Sequence, residues 1–261
     1  MRLMISVVSA AEASQAMRAG VDLLDIKNPA EGSLGAQSPR VLSEIKKLTS
    51  GNNEISAAIG DMPNLPGTAA LAALGAATCG VDYIKVGLHG PRSEAEAMLL
   101  LHEVRDAVRE FNLSIIAACY ADYKLIGSLN PECLPGLAVS TKIRGCLIDT
   151  AVKNGHTLFD FMSPDALHSL VEQAHRARLL CGVAGTLREQ DLPLLRDIGV
   201  DVVGLRTAVC RDGNRNGPLD PVLVHNLVER FTAQRGTGLR SRGAAIENSQ
   251  GFASLTPGIE R

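Results

Sequence analysis

The chain has 261 residues, 46% of them hydrophobic and 21% charged, with a formal net charge of −2. That balance suits a globular chain with a real core and gives no electrostatic reason to bind nucleic acid or an acidic membrane surface. There is no tryptophan, and aromatic side chains make up only 3%, so few rings are on hand to stack on bases.

No apolar run approaches the roughly 18 residues needed to span a bilayer. The opening stretch MRLMISVVSAAEAS has a short apolar part that passes at once into helix-forming Ala and Glu, so it reads as a first strand rather than a signal peptide. From there, short apolar runs follow at regular spacing: LMISVVS (3–9), VDLLDIK (21–27), ISAAIG (55–60) and VDYIKVG (81–87). They continue with SIIAACY (114–120), GCLIDT (145–150), LLCGVAG (179–185) and VDVVGLR (200–206). Each has the composition of a strand buried on both faces.

Amphipathic segments lie between these runs. SEAEAMLLLHEVRDAVREF (93–111) opens with Ser93 as N-cap and Glu96 three residues on, a capping-box pattern. SPDALHSLVEQAHRAR (163–178) has Ser163 as N-cap and Pro164 at the first helical position. TLREQDLPLLRDIG (186–199) ends at Gly199, and Pro193 marks a break or a second helical piece. A repeat runs through the chain: AGVDLLDIK, CGVDYIKVG and IGVDVVGLR each read Gly-Val-Asp and then an apolar strand. Eight strand-plus-helix units over about 235 residues predict a single (β/α)₈ TIM barrel over residues 1–231. A doubly wound open sheet is the alternative, although no G-x-G-x-x-G follows the first strand. Residues 232–261, rich in Gly, Ser and Arg, are expected to be a flexible C-terminal tail.

The six cysteines form no C-x-x-C pair, and no histidine stands at zinc-finger spacing. Cys119, Cys146 and Cys181 fall in strand-like runs, where cysteine acts as a small hydrophobe. A reduced, cytoplasmic protein without structural zinc is the expectation.

In such a barrel, chemistry sits at the C-terminal ends of the strands. Strand two ends in Asp25 and Lys27, whose i, i+2 spacing puts both on one face, the barrel interior. Strand four ends near Lys85, strand five near Tyr120 and Asp122, and strand six at Asp149 with Lys153 beyond it. A lysine at this mouth, partly desolvated and close to other cations, has a lowered pKa. Its neutral amine can attack a carbonyl to form a Schiff base, with the carboxylates moving protons. Strands seven and eight end in GVAGT (182–186) and GLRTA (204–208), where exposed backbone N–H groups suit a phosphate. Gly185, Thr186, Gly204, Arg206 and Thr207 are the candidate phosphate-binding residues, Arg206 supplying the charge. The NPAEGSLGA loop after strand two is either a cover for a substrate or an ordinary surface loop.

The stretches DIKNPAEGSLGA, DYIKVGL, LIDTAVKNGHTLFDF and GLRTAVCRDGNRNG resemble the (5-formylfuran-3-yl)methyl phosphate synthase family, from residue 1 to about residue 231. The resemblance implies a carbon–oxygen lyase of methanofuran biosynthesis that condenses two molecules of glyceraldehyde 3-phosphate, losing phosphate and water. It implies a Schiff base on Lys27, an acid–base role for Lys85, a third catalytic lysine at Lys153, and catalytic carboxylates at Asp25 and Asp149. It implies no metal or organic cofactor, triose phosphate as the small-molecule partner, and a homo-oligomer. Two other readings stay open on the residues alone: a class I aldolase for another sugar phosphate, and a non-catalytic sensor of phosphate metabolites.

Overall fold

The computed structural model describes residues 1–49 and 53–233. Eight parallel strands close into a barrel in sequence order, β1 to β8. They are β1 (Arg2–Val7), β2 (Leu23–Ile26), β3 (Glu54–Asp61), β4 (Tyr83–Gly87), β5 (Ser114–Tyr120), β6 (Gly145–Asp149), β7 (Leu180–Val183) and β8 (Val202–Leu205). Around them run α1 (Ala10–Ala19), α2 (Pro39–Leu48), α3 (Pro66–Thr78), α4 (Glu94–Ala107), α5 (Tyr123–Ile126), α6 (Leu134–Thr141), α7 (Pro164–Arg176) and α8 (Leu192–Ile198). A last helix, α9, covers 221–233 and so runs two residues past the expected boundary at 231. The remainder of the expected tail lies outside the described residues. Among the described residues, no helix is long and apolar enough to cross a membrane.

The Gly-Val-Asp repeat has a mechanical explanation. Gly20, Gly80 and Gly199 take positive φ where the preceding helices end, a conformation that costs glycine little. The aspartate then turns back to the neighbouring strand instead of entering its own. Asp22, Asp82 and Asp201 accept hydrogen bonds from the N–H groups of Leu3, Ile55 and Cys181 at 2.7, 2.8 and 2.8 Å. Each carboxylate thereby satisfies an N–H at the start of the preceding strand. For this reason β2, β4 and β8 begin two residues later than their apolar pattern predicts.

The helix starts follow their caps. Ser93 and Ser163 accept from the N–H groups of Glu96 and Ala166 at 3.3 and 3.2 Å. The capping box at α4 closes differently from expectation, since Glu96 accepts from the N–H of Arg92, one residue before the cap. The break at Pro193 is real: a 3₁₀ turn at Glu189–Asp191 precedes α8.

Alternate residues of each strand face opposite ways, and the core is divided accordingly. Leu3, Ile5, Val7, Leu24, Ile26, Ile55, Ile84 and Val86 point outward and join the helices in one apolar cluster. A second, small cluster fills part of the barrel interior: Leu34, Ala58, Ala118, Tyr120 and Leu147. Cys119, Cys146 and Cys181 are buried, and all six cysteines are free thiols.

Candidate active site

The charged groups sit on the inward face of the upper barrel because register puts them there. Ser6 of β1 pairs across to Asp25, and Asp25 in turn to Ser56. Ala58 pairs with Lys85, and Tyr120 with Asp149. Lys27 stands one residue past β2 but continues its ladder, donating its N–H to the carbonyl of Val7 at 3.2 Å. It therefore points to the same side as Asp25, two residues earlier. Asp25, Lys27, Lys85 and Asp149 are all buried.

The lysines at the mouth are not equivalent. Lys85 Nζ lies 2.6 Å from Asp25 Oδ1, whose other oxygen accepts from Ser6 Oγ at 2.8 Å. Lys153 Nζ donates to Asp149 Oδ1 at 2.7 Å and to Thr150 Oγ1 at 2.8 Å. Lys27 has no such partner: among the described residues, no carboxylate oxygen lies within 4.0 Å of its Nζ. Burial lowers its pKa to about 8, in spite of the opposing pull of Asp149 and Asp25, and Lys85 and Lys153 push it the same way as burial. Burial works against the charge on Asp149, but Lys153, Lys27 and the N–H of Thr150 outweigh it and hold the carboxyl well below the usual carboxylate range. Its second oxygen, Oδ2, is buried and, among the described residues, has no hydrogen-bond partner. Among the described residues, the mouth thus holds an amine in no ion pair, Lys27, and a carboxylate oxygen with neither hydrogen-bond donor nor ion pair, Asp149 Oδ2, beside the Lys85–Asp25 and Lys153–Asp149 pairs.

A cleft open to solvent extends from Lys27, Asp149 and Lys153 to the ends of β7 and β8. All five residues expected to bind phosphate line it: Gly185, Thr186, Gly204, Arg206 and Thr207. Among the described residues, the backbone N–H groups of Gly185, Thr186, Leu187 and Thr207 have no acceptor. Arg206 departs from expectation. Its guanidinium donates to Glu12 at 3.0 Å and to the carbonyls of Ser6, Arg215 and Gly217 at 2.9, 2.6 and 3.0 Å. Its charge is neutralised by a buried carboxylate, so although it borders the cleft its guanidinium braces the loop after β8.

The loop after β2 crosses the mouth and is held at three places. Asp61, at the end of β3, accepts from the N–H groups of Ser33 at 2.7 Å and Leu34 at 3.2 Å, and from the buried Tyr120 hydroxyl. Ser33 Oγ donates to the carbonyl of Thr150 at 2.8 Å, and Arg215 donates to the carbonyl of Gly32 at 3.1 Å. Leu34 is thereby inserted into the small interior cluster. Gly32 has φ of +140°, and a Cβ there would collide with the Asp61 carboxylate, so a side chain at this position would break the clasp. Of the two readings of NPAEGSLGA, the structure supports the cover.

Tyr120 and Asp122 have supporting places. Burial, then the charge of Asp61, raises the Tyr120 pKa well above its usual value, so the phenol remains a donor. Asp122 accepts from the N–H groups of Ala151 and Val152, both at 2.8 Å, and shapes the turn that brings Lys153 back onto Asp149. Sequence patterning does not single out Asp61 or Arg215. Asp61 ends a strand one residue beyond the predicted apolar run, and that position is the only signal it leaves. Arg215 lies in an irregular loop with no periodicity to place it.

A family profile described as 4-HFC-P synthase matches residues 3–228. A (5-formylfuran-3-yl)methyl phosphate synthase from Methanopyrus kandleri is 44% identical over 231 residues, covering 87% of this chain and 98% of the relative. The protein of the same name from Methanocaldococcus jannaschii is 42% identical over 232 residues, covering 88% and 99%. Among solved structures, phosphoribosyl anthranilate isomerase from Thermus thermophilus superposes with a TM-score of 0.60 at 14% identity, covering 90% of this chain and all of that one. At that identity the likeness concerns the fold alone.

Proposed function

The chain belongs to the 4-HFC-P synthase family, and from that premise we propose that it condenses two molecules of glyceraldehyde 3-phosphate through an imine on Lys27. The product is (5-formylfuran-3-yl)methyl phosphate, a precursor for methanofuran, and one phosphate and two waters are released. The observation that carries this reading is the inequality of the lysines. Lys85 and Lys153 are each closed onto a carboxylate, whereas Lys27 is buried, unpaired and titrates at about 8. A buried amine that loses its proton near neutrality is a nucleophile for a carbonyl.

One triose phosphate condenses through its aldehyde with Lys27 Nζ, losing water to form the imine, while the other isomerises to its ketone. The protonated imine withdraws electrons, so the adjacent carbon gives up a proton and the enamine expels phosphate from the next carbon; that carbon, now the end of an enol, attacks the ketone carbon of the second triose and gives the branched skeleton of the product. Asp149 Oδ2, which accepts from no donor among the described residues, takes a proton from the bound sugar. The Lys85–Asp25 pair, connected to Ser6, supplies a second donor–acceptor relay for the dehydrations. The hydroxymethyl oxygen of the second triose then closes on the carbonyl next to the imine, loss of two waters makes the ring a furan, and hydrolysis of the imine frees Lys27.

Incubation with glyceraldehyde 3-phosphate as sole substrate should give a near-ultraviolet furan chromophore. Borohydride added during turnover should leave substrate mass on Lys27, located by peptide mass analysis. Aldol products without a furan would point to a simple aldolase, and an unlabelled Lys27 would remove the imine.

A further inference from the structure

The anchoring of Arg206 raises the question of which cation faces a substrate phosphate. Arg215 lines the same cleft as Lys27, Thr186 and Thr207 and is about half-buried there. Its backbone is held in place by Arg206, the very residue whose position after β8 suggested a phosphate contact. Arg206 Nε donates to the Arg215 carbonyl at 2.6 Å. Glu12 completes the brace, accepting from Arg206 and from the N–H of Leu219 at 3.3 Å. The Arg215 side chain is less committed. Among the described residues, one of its five N–H groups has a partner, the carbonyl of Gly32 at 3.1 Å.

We propose that Arg215 grips a substrate phosphate at the β7–β8 rim and, through Gly32, holds the loop after β2 closed over it. This rests on the reading that triose phosphates react at Lys27. A guanidinium presents parallel donors that match two oxygens of a phosphate. The unpartnered N–H groups of Gly185, Thr186, Leu187 and Thr207 line the same cleft, so a tetrahedral dianion there would be held by both donor sets. Burial lowers the Arg215 pKa, with Asp149 and Asp61 acting the other way, so an anion in contact would relieve a cation that is now poorly solvated. The division of labour is chemical. Arg206 faces a carboxylate and carbonyls and is structural; Arg215 faces open cleft and the cover.

The test titrates inorganic phosphate into the full-length protein by calorimetry, using wild type, Arg215→Gln and Arg215→Lys. The brace reaches only the backbone of Arg215, so both variants should fold, as judged by thermal unfolding. Affinity for phosphate should fall at least tenfold in Arg215→Gln and by less in Arg215→Lys. Phosphate should slow amide exchange of residues 29–35 in wild type and not in Arg215→Gln. Wild-type affinity in Arg215→Gln, or no phosphate binding by wild type, would overturn the proposal. Should Arg215→Gln not fold, unchanged affinity in Arg215→Lys overturns it and weakened affinity supports it. Borohydride labelling of Lys27 in wild type runs alongside. Labelling with phosphate binding insensitive to Arg215 sinks this inference alone, whereas no labelling with a strong Arg215 effect sinks only the imine.

Discussion

Two faces of the same strands differ more than any two separate parts of the molecule. Ile26 is fully buried in the outer apolar cluster, and the residues on either side of it, Asp25 and Lys27, form part of the charged mouth. Outward residues are interchangeable in kind: aliphatic, close-packed against helices and held by non-directional burial. Inward residues at the top are individually placed, and their value depends on which neighbour each one touches. One face holds the barrel together, and the other gives it something to do at a cost in stability. Buried ion pairs such as Lys85–Asp25 repay their desolvation only in part.

The sharpest way to separate the faces is to remove the unpaired amine. Lys27→Met should lower furan formation by about ten-thousandfold, roughly 5 kcal/mol of barrier, with no borohydride adduct. Its thermal midpoint should stay level or rise, because a desolvated ammonium has been replaced by an apolar chain. Loss of activity accompanied by unfolding would blur the distinction drawn above. The paired amine should behave differently. Lys85→Met alone leaves Asp25 charged and buried, a loss of about 3–5 kcal/mol in denaturant unfolding. Lys85→Met combined with Asp25→Leu should recover most of that stability and remain inactive.

The outer face is tested at Ile26 itself. Ile26→Ala should cost about 2–5 kcal/mol of stability through the cavity it leaves, with turnover per folded molecule little changed at low temperature. If it abolished turnover in protein shown to be folded, the two faces would not be independent. The mildest test uses pH. With Lys27 at about 8, about a tenth of its amine is neutral at pH 7 and about nine-tenths at pH 9, so imine capture should rise about tenfold across that span. Asp149, held well below the carboxylate range, stays ionised throughout. Stability should move in the same direction. A lysine whose folded pKa is depressed binds fewer protons when folded than when unfolded between about 8 and its unperturbed value of about 10.5, so stability rises with pH through that window. Lys27→Met should flatten both profiles.

Much of this is legible in the chain. Apolar runs of the right length and the Gly-Val-Asp repeat locate the strands to within two residues, and the serine caps locate the starts of α4 and α7; α4 ends four residues short of its predicted stretch, and α8 starts only at Leu192, after a 3₁₀ turn. Period two alone puts Asp25 and Lys27 on one face. Where the chain misleads, the source is the same each time. Arg206 follows a strand and so points to a phosphate, but Glu12, 194 positions away in sequence, captures its guanidinium. Asp61 attracts no notice because it acts on Ser33, Leu34 and Tyr120, none of which is its neighbour along the chain.

The sequence by itself determined the barrel, the face each strand residue takes and the set of charged groups that meet at the mouth. Those follow from local periodicity and capping, which act over a few residues. Only the tertiary structure decided which lysine lacks a carboxylate, which arginine faces the cleft and what clasps the loop over it. Those choices depend on separations of a few ångströms between groups on different strands. Strand register and barrel closure set these separations, and no spacing along one strand contains them.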